Sequence, residues 1–311
     1  MRGYFRFLAW TVQCVALIMT LNCALLYHVS SFSEKYLADR SVNLAGRDED
    51  VPENSADTTA AYTVEDLLCL HNQVVRRCNE LSGQMLRDDK GYIIGATQAV
   101  ASPDPVGMQD QAREEMRRLG ETYPQLAGYY PRPKPLLSSD FLCQQGMLGW
   151  YFPFSMEANY NDVAYVMNQP ATMCHELAHL KGFIYEDEAN FIGYLACVTS
   201  SDPVFEYSGY LSVLGYVQRD LQRARKQNPE QYAAAVEQQG IEKPRDIVYR
   251  DDIFVTEEEW ARIEGKALLD TETVSKATDT FVDTTLKANG VSDGAISYSR
   301  VVQLMLEYAR N

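Results

Sequence analysis

Histidine is the scarcest reactive residue in this chain, with four among 311 residues. Few positions can therefore supply an imidazole, and any pair at meaningful spacing stands out. Positive charge is also in deficit: 28 Lys and Arg face 43 Asp and Glu, for a formal net charge of −15 at pH 7. That balance argues against nucleic acid as a partner and against a basic patch that reads membrane surfaces. Cysteine is sparse, with seven in the chain. Cys14 and Cys23 fall in an apolar N-terminal run. Cys69, Cys78, Cys143, Cys174 and Cys197 remain, an odd set that does not form a disulfide framework. Cys69 and Cys78 share one predicted helix, about 13 Å apart along its axis, which a straight helix cannot bridge. Internal repeats and low-complexity tracts are lacking.

Only one long hydrophobic run occurs. Phe7 to Tyr27 (FLAWTVQCVALIMTLNCALLY) carries no charge, and the uncharged stretch continues through Ser33. A bilayer crossing needs about 20 apolar residues. Trp10 and Tyr27 stand near the ends, where aromatic belts form, and Arg2 and Arg6 precede the run. This predicts a single-pass anchor with its N-terminus in the cytoplasm and the rest of the chain outside. Lys35, Arg40 and Arg47 weaken the charge bias, and Gln13 and Asn22 weaken the apolarity. The competing reading is a cleaved signal peptide or a lipidated Cys23. No clean A-x-A site is present, and Leu21-Asn22 makes a poor lipoprotein site.

The expected organisation is an anchor over 1–33, an acidic linker over 34–61 and one domain over 62–311. Thr63 with Asp66 resembles a capping box and opens a helix to about Leu81. A helix from Asp110 to Leu119 follows. Short strands are predicted at Leu136-Leu137, Met147 to Phe154 and Val163 to Val166. Pro153 cannot donate to a ladder, which makes the second of these an edge. Pro170 starts a helix that Gly182 ends. Further helices are predicted at Glu186 to Val198, 205–227 and 229–238, and from the Thr256 cap to Gly290. Tyr298 to Ala309 forms the last. The fold class is α+β, mainly helical, with a small mixed sheet.

Two of the four histidines fall in His175-Glu176-Leu177-Ala178-His179, an HExxH pentapeptide. On a helix, positions four apart share a face. Two imidazoles can then hold one zinc ion, with Glu176 placed as general base toward a water. A third ligand is needed. His28 lies at the membrane boundary and His71 on the apolar side of a distant helix, so a carboxylate is expected. Glu186, Asp187 and Glu188 are the candidates.

Gly182 matches the glycine of the metzincin pattern HExxHxxGxxH, with Tyr185 in the third histidine's slot and an acid at the next position. The stretch also resembles the Glu-zincin peptidases. In that family the ligand glutamate lies on a helix after HExxH, with Asp or Asn four residues later supporting the first histidine. The resemblance implies Glu186 as ligand and Asn190 as its supporting partner. Glu188 stays as the alternative, and Ile192 stands four residues after it.

A wider resemblance runs from about Pro133 to Cys197, through KPLLSSDF, GWYFPFSMEANYN, CHELAHLKGF and EDEANF, with YSRVVQLMLEY near the C-terminus. These pieces are similar to an uncharacterised bacterial family of membrane-anchored HExxH proteins, a domain of unknown function. It implies a membrane-tethered zincin-like domain, with the sheet packed on the HExxH helix. The reaction implied is zinc-dependent hydrolysis of a peptide or protein substrate. Tyr207, Tyr210, Tyr298 and Arg300 are candidate oxyanion donors. The aromatic strand is a candidate edge for substrate addition, and Glu157-Ala158-Asn159 resembles the main-chain-binding segment of thermolysin-like enzymes. A zincin-fold binding or sensing protein without activity is the alternative.

Overall fold

The computed structural model describes residues 2–19, 30–37, 62–97, 105–267, 271–276, 278 and 300–310. It is mainly helical with two small sheets. The helices are α1 (Arg2–Met19), α2 (Val64–Ser82), α3 (Pro105–Thr122), α4 (Ser139–Gln144), α5 (Gln169–His179), α6 (Glu186–Val198), α7 (Pro203–Gln227), α8 (Pro229–Gln239), α9 (Asp246–Asp251), α10 (Glu257–Lys266) and α11 (Arg300–Arg310). Strands β1 (Met85–Arg87) and β2 (Ile93–Ala96) form an antiparallel hairpin. Strands β3 (Lys134–Pro135), β4 (Gly149–Phe152) and β5 (Glu157–Tyr160) form a mixed sheet in the order β3-β5-β4.

The core is built on α5, which is buried on nearly every side. It packs against α6, α7, α3 and the face of the mixed sheet. Proline at its first turn costs nothing, because that N–H has no helical partner. The helix stops at His179, and Gly182 follows at φ +88°. On α6, a Cβ at position 193 would lie 2.9 Å from the Ala171 carbonyl oxygen and 3.1 Å from the His175 nitrogen. Glycine there lets α6 press against α5, which brings the acidic start of α6 opposite the histidines.

Thr63 caps α2 as expected. Its side chain accepts from the Asp66 N–H at 3.1 Å, and Asp66 accepts from the Thr63 N–H at 3.0 Å. Helices α5 to α8 also lie close to the expected spans. β4 is an edge, in keeping with Pro153 beyond its end.

Several expectations need correction. The strand expected at Leu136-Leu137 lies two residues earlier, at Lys134–Pro135. Val163 to Val166 is a turn leading into a 3₁₀ helix at Val166–Asn168 rather than a strand, since Asn161 Oδ1 accepts from the Val163 and Ala164 N–H groups and bends the chain. The helix expected from Thr256 to Gly290 breaks after Lys266, where Ala267 takes ψ 129°. Gly265, a weak helix former, stands in its last turn. Helix resumes at 271–276. Gly290 lies outside the described residues, as does most of the expected linker.

The apolar N-terminal run is described as far as Met19 and is exposed along α1, where Phe7, Trp10 and Leu17 are 60–70% accessible. Among the described residues no helix is long and apolar enough to cross a membrane. The remainder of that run, to Val29, lies outside them. At Phe32 the chain enters the core: its ring is fully buried, 5.0 Å from Tyr36 and Tyr123 and 5.6 Å from Phe183 and Phe191. Ser33 donates to Glu307 of α11 at 2.6 Å.

Candidate metal centre

Four residues of spacing on α5 place His175 and His179 one above the other, with ring centroids 4.7 Å apart. Each ring is held at Nδ1. For His175 the partner is Asn190 Oδ1 at 3.0 Å, and for His179 it is the Phe183 carbonyl at 2.7 Å. An acceptor at Nδ1 fixes the proton there and leaves Nε2 as the ligating atom. Both Nε2 atoms face the Glu186 carboxylate, His175 at 3.2 Å and His179 at 3.7 Å.

The three ligand atoms lie within 4.8 Å of one another, a grouping able to hold a metal ion. Ligands about 2 Å from a tetrahedral ion sit about 3.3 Å apart. The two imidazole–carboxylate separations lie near that value, so the cluster could hold a metal ion. The Glu186 side chain is 38% accessible, so the cluster is not sealed from solvent on the carboxylate side.

Charge within the cluster is shared unevenly. Burial works against a charge on His175, but the hydrogen bond and charge of Glu186 outweigh it and carry the imidazole up to about 9. Burial raises Glu186, and the two histidines overcome that to hold it at about 2. Burial, reinforced by the neighbouring His175 charge, drops His179 to about 4. The cluster thus favours a charged His175 paired with an ionised Glu186, and a cation held there would compete with the His175 proton.

Glu176 sits one step along α5 with a different neighbourhood. A Cβ at position 149 would lie 2.3 Å from Glu176 Oε1, so glycine in β4 makes room for this carboxylate. Glu176 Oε2 is buried without a hydrogen-bond partner. Burial pushes the group up to about 8, with Glu186 adding to the rise and His175 opposing it.

The other two acids on α6 turn away. Glu188 accepts a hydrogen bond from the Phe32 N–H and ties the N-terminal segment to α6. Asp187 is buried, and burial raises it while Arg300 opposes the rise. Of the three carboxylates, Glu186 is the one in the cluster.

Of the expected oxyanion donors, Tyr207, Tyr210 and Arg300 find other partners. Tyr207 is fully buried and donates to Asp251 Oδ2 at 2.8 Å, where Arg87 also binds Asp251 through both guanidinium nitrogens at 2.5 and 2.7 Å. This is a packing network between α7, α9 and β1. Tyr207→Phe is expected to cost about 2 kcal/mol of stability, since it removes one bond to a buried charge. Chemical denaturation reads that cost, and metal content should stay at the wild-type level. Tyr210 stacks against Tyr194 at 5.9 Å, and Arg300 is exposed beside Asp187 and Tyr185. Tyr298 lies outside the described residues, as does His28. His71 is buried on α2 beside Asn72.

One tyrosine that the sequence did not single out as a donor borders the cluster. The Tyr151 ring in β4 is 5.8 Å from the His179 ring. Tyr216 on α7 is raised by burial, with Arg219 opposing and the Glu186 charge adding to the rise. The signal for Tyr151 was present in its place one step from Gly149 on the aromatic edge strand. Nothing in the local sequence points to Tyr216. Glu157-Ala158-Asn159 is also misplaced as a docking segment. It forms the central strand β5, and Asn159 Nδ2 donates to the Trp150 and Glu157 carbonyls.

Asn190→Ala should free the His175 ring and weaken metal affinity by roughly 10–100-fold. Competition titration with a chelating dye measures it, and an unchanged affinity would remove Asn190 from the site.

A family model matches residues 3–306, and its description is Protein of unknown function (DUF3810). Neither curated proteins nor solved structures gave a match.

Proposed function

The chain belongs to the DUF3810 family, and from the cluster it carries we propose that it is a membrane-anchored, zinc-dependent metallopeptidase with a zincin-like domain. The observation that carries the reading is the convergence of His175, His179 and Glu186 with Glu176 beside them. Zinc is favoured by the donor set, two imidazole nitrogens and one carboxylate with an open position. When bound, it supplies a Lewis acid and an acidified water.

The chain's own residues do the rest. Asn190 and the Phe183 carbonyl orient the two imidazoles. Glu176 accepts the water's proton and passes it to the leaving amine nitrogen. Its unpartnered oxygen is a cost to folding that a proton-transfer role explains. β4 lies beside α5 with no further strand on its outer side among the described residues, so an extended peptide can add there. The uncharged run from Phe7 to Ser33 supports the anchor, and Arg2 and Arg6 support an extracytoplasmic domain.

The test is cleavage of a broad peptide library by the detergent-solubilised full chain. Cleavage that a chelator abolishes and zinc restores is the expected result. A zinc-loaded protein that cleaves nothing overturns the reading in favour of a binding or sensing protein on the same fold.

A further inference from the structure

β4 alternates its side chains about the sheet. Gly149 and Tyr151 face α5 and the metal cluster. Trp150 and Phe152 face the other way and are 44% and 43% accessible. The turn after β4 continues the exposed surface with Phe154, at 38%, while Met156, at 42%, closes the turn with its sulfur 3.0 Å from the Tyr151 hydroxyl. Phe152 and Phe154 stack on one another at 5.2 Å. Together these four expose roughly 300 Å² of apolar surface, the scale at which a patch marks an interaction site. No charged residue occurs from Phe141 to Met156, in a chain of net charge −15.

The position of this patch indicates what covers it. β4 runs alongside α5 in the same direction, since Gly149 lies against Thr172 and Glu176 while Tyr151 lies against His179. Its turn therefore projects past the C-terminal end of α5. At that same end the segment following the apolar N-terminal run joins the core, with Phe32 packed on Phe183 just beyond His179. Tyr129, 75% accessible, is also there, tied through its carbonyl to Lys181. The segment that follows the apolar run and the aromatic turn thus both lie at the C-terminal end of α5.

We infer that the β4–β5 turn inserts Trp150, Phe152, Phe154 and Met156 into the interfacial layer of the bilayer that holds the N-terminal anchor. Aromatic rings are favoured at that depth, and the one acid beside them, Glu157 opposite Phe152 in the sheet, is paired with Lys134 and adds no net charge to the surface. The inference rests on the anchoring part of the proposed function and not on the metal chemistry. It gives the domain a second membrane contact and turns the edge of β4 toward the lipid surface.

The chain has three tryptophans, Trp10, Trp150 and Trp260, which permits a clean test. Full-length W10F/W260F leaves Trp150 as sole reporter, W150F/W260F leaves Trp10, and W10F/W150F leaves Trp260. Each is reconstituted in phosphatidylcholine vesicles with and without lipid brominated near the top of the acyl chain. Trp150 emission should fall to about half in brominated vesicles, while Trp260 on α10 should be unaffected. Equal Trp150 emission in both vesicles, with Trp10 quenched by the same brominated lipid, overturns this inference alone; a substrate, a second copy or another part of the chain then covers the patch. Trp10 and Trp150 both unquenched overturns the anchoring reading with it.

Discussion

Glu176→Gln is expected to retain the metal and lower peptide hydrolysis by about a thousandfold. The substitution keeps the shape of a side chain packed against Gly149, where space is so short that a Cβ would collide. Glutamine fits that slot, so the fold should survive. What changes is proton affinity. The carboxylate can take a proton from water and return it, and the amide cannot. Burial pushes Glu176 up to about 8 before any metal is present, with Glu186 contributing to the rise. A divalent cation beside it adds positive charge and favours its ionised form. Both effects place the group near the working range of a general base. The readout is kcat measured together with metal content on the same sample. Undiminished turnover would remove Glu176 from the mechanism, and loss of metal would mean that it is a ligand.

Glu186→Ala and Glu188→Gln should separate cleanly. The first removes one of three ligands and leaves two imidazoles, so metal affinity should fall by well over the roughly 100-fold expected for a supporting residue. The second should leave affinity within a few-fold of wild type, because Glu188 binds the Phe32 N–H and not the cluster. Its cost belongs to stability, since it weakens a buried tie between the N-terminal segment and α6. Equilibrium dialysis against zinc, beside a denaturation curve for each variant, distinguishes the two. If Glu188→Gln lost the metal and Glu186→Ala kept it, the ligand assignment would be reversed.

Local rules carried much of this site. HExxH spacing put His175 and His179 on one helical face, and the likeness to the Glu-zincin peptidases pointed to Glu186, with Asn190, among three neighbouring acids, the one that the structure brings to the histidines. The Thr63–Asp66 pair marked the start of α2 to the residue. Long-range partners were not legible. The sequence offered Tyr207 as an oxyanion donor and could not say that Asp251 and Arg87, distant in the chain, meet it instead. The Glu186 charge reaches Tyr216 only through the packing of α7 on α6. Phe32 sits at the end of an uncharged run, and apolar composition does not distinguish a residue facing lipid from one that fills a protein core. β1, β2 and β5 are too short for a period-two pattern to stand above the background, and their pairing depends on distant neighbours.

The measurement closest to the central claim is the metal content of the full-length protein, purified without added metal and analysed by mass spectrometry against protein concentration. The account predicts one zinc per chain, lost in His179→Ala and kept in Glu176→Gln. Wild-type protein that carries no zinc and takes up none on dialysis would contradict it.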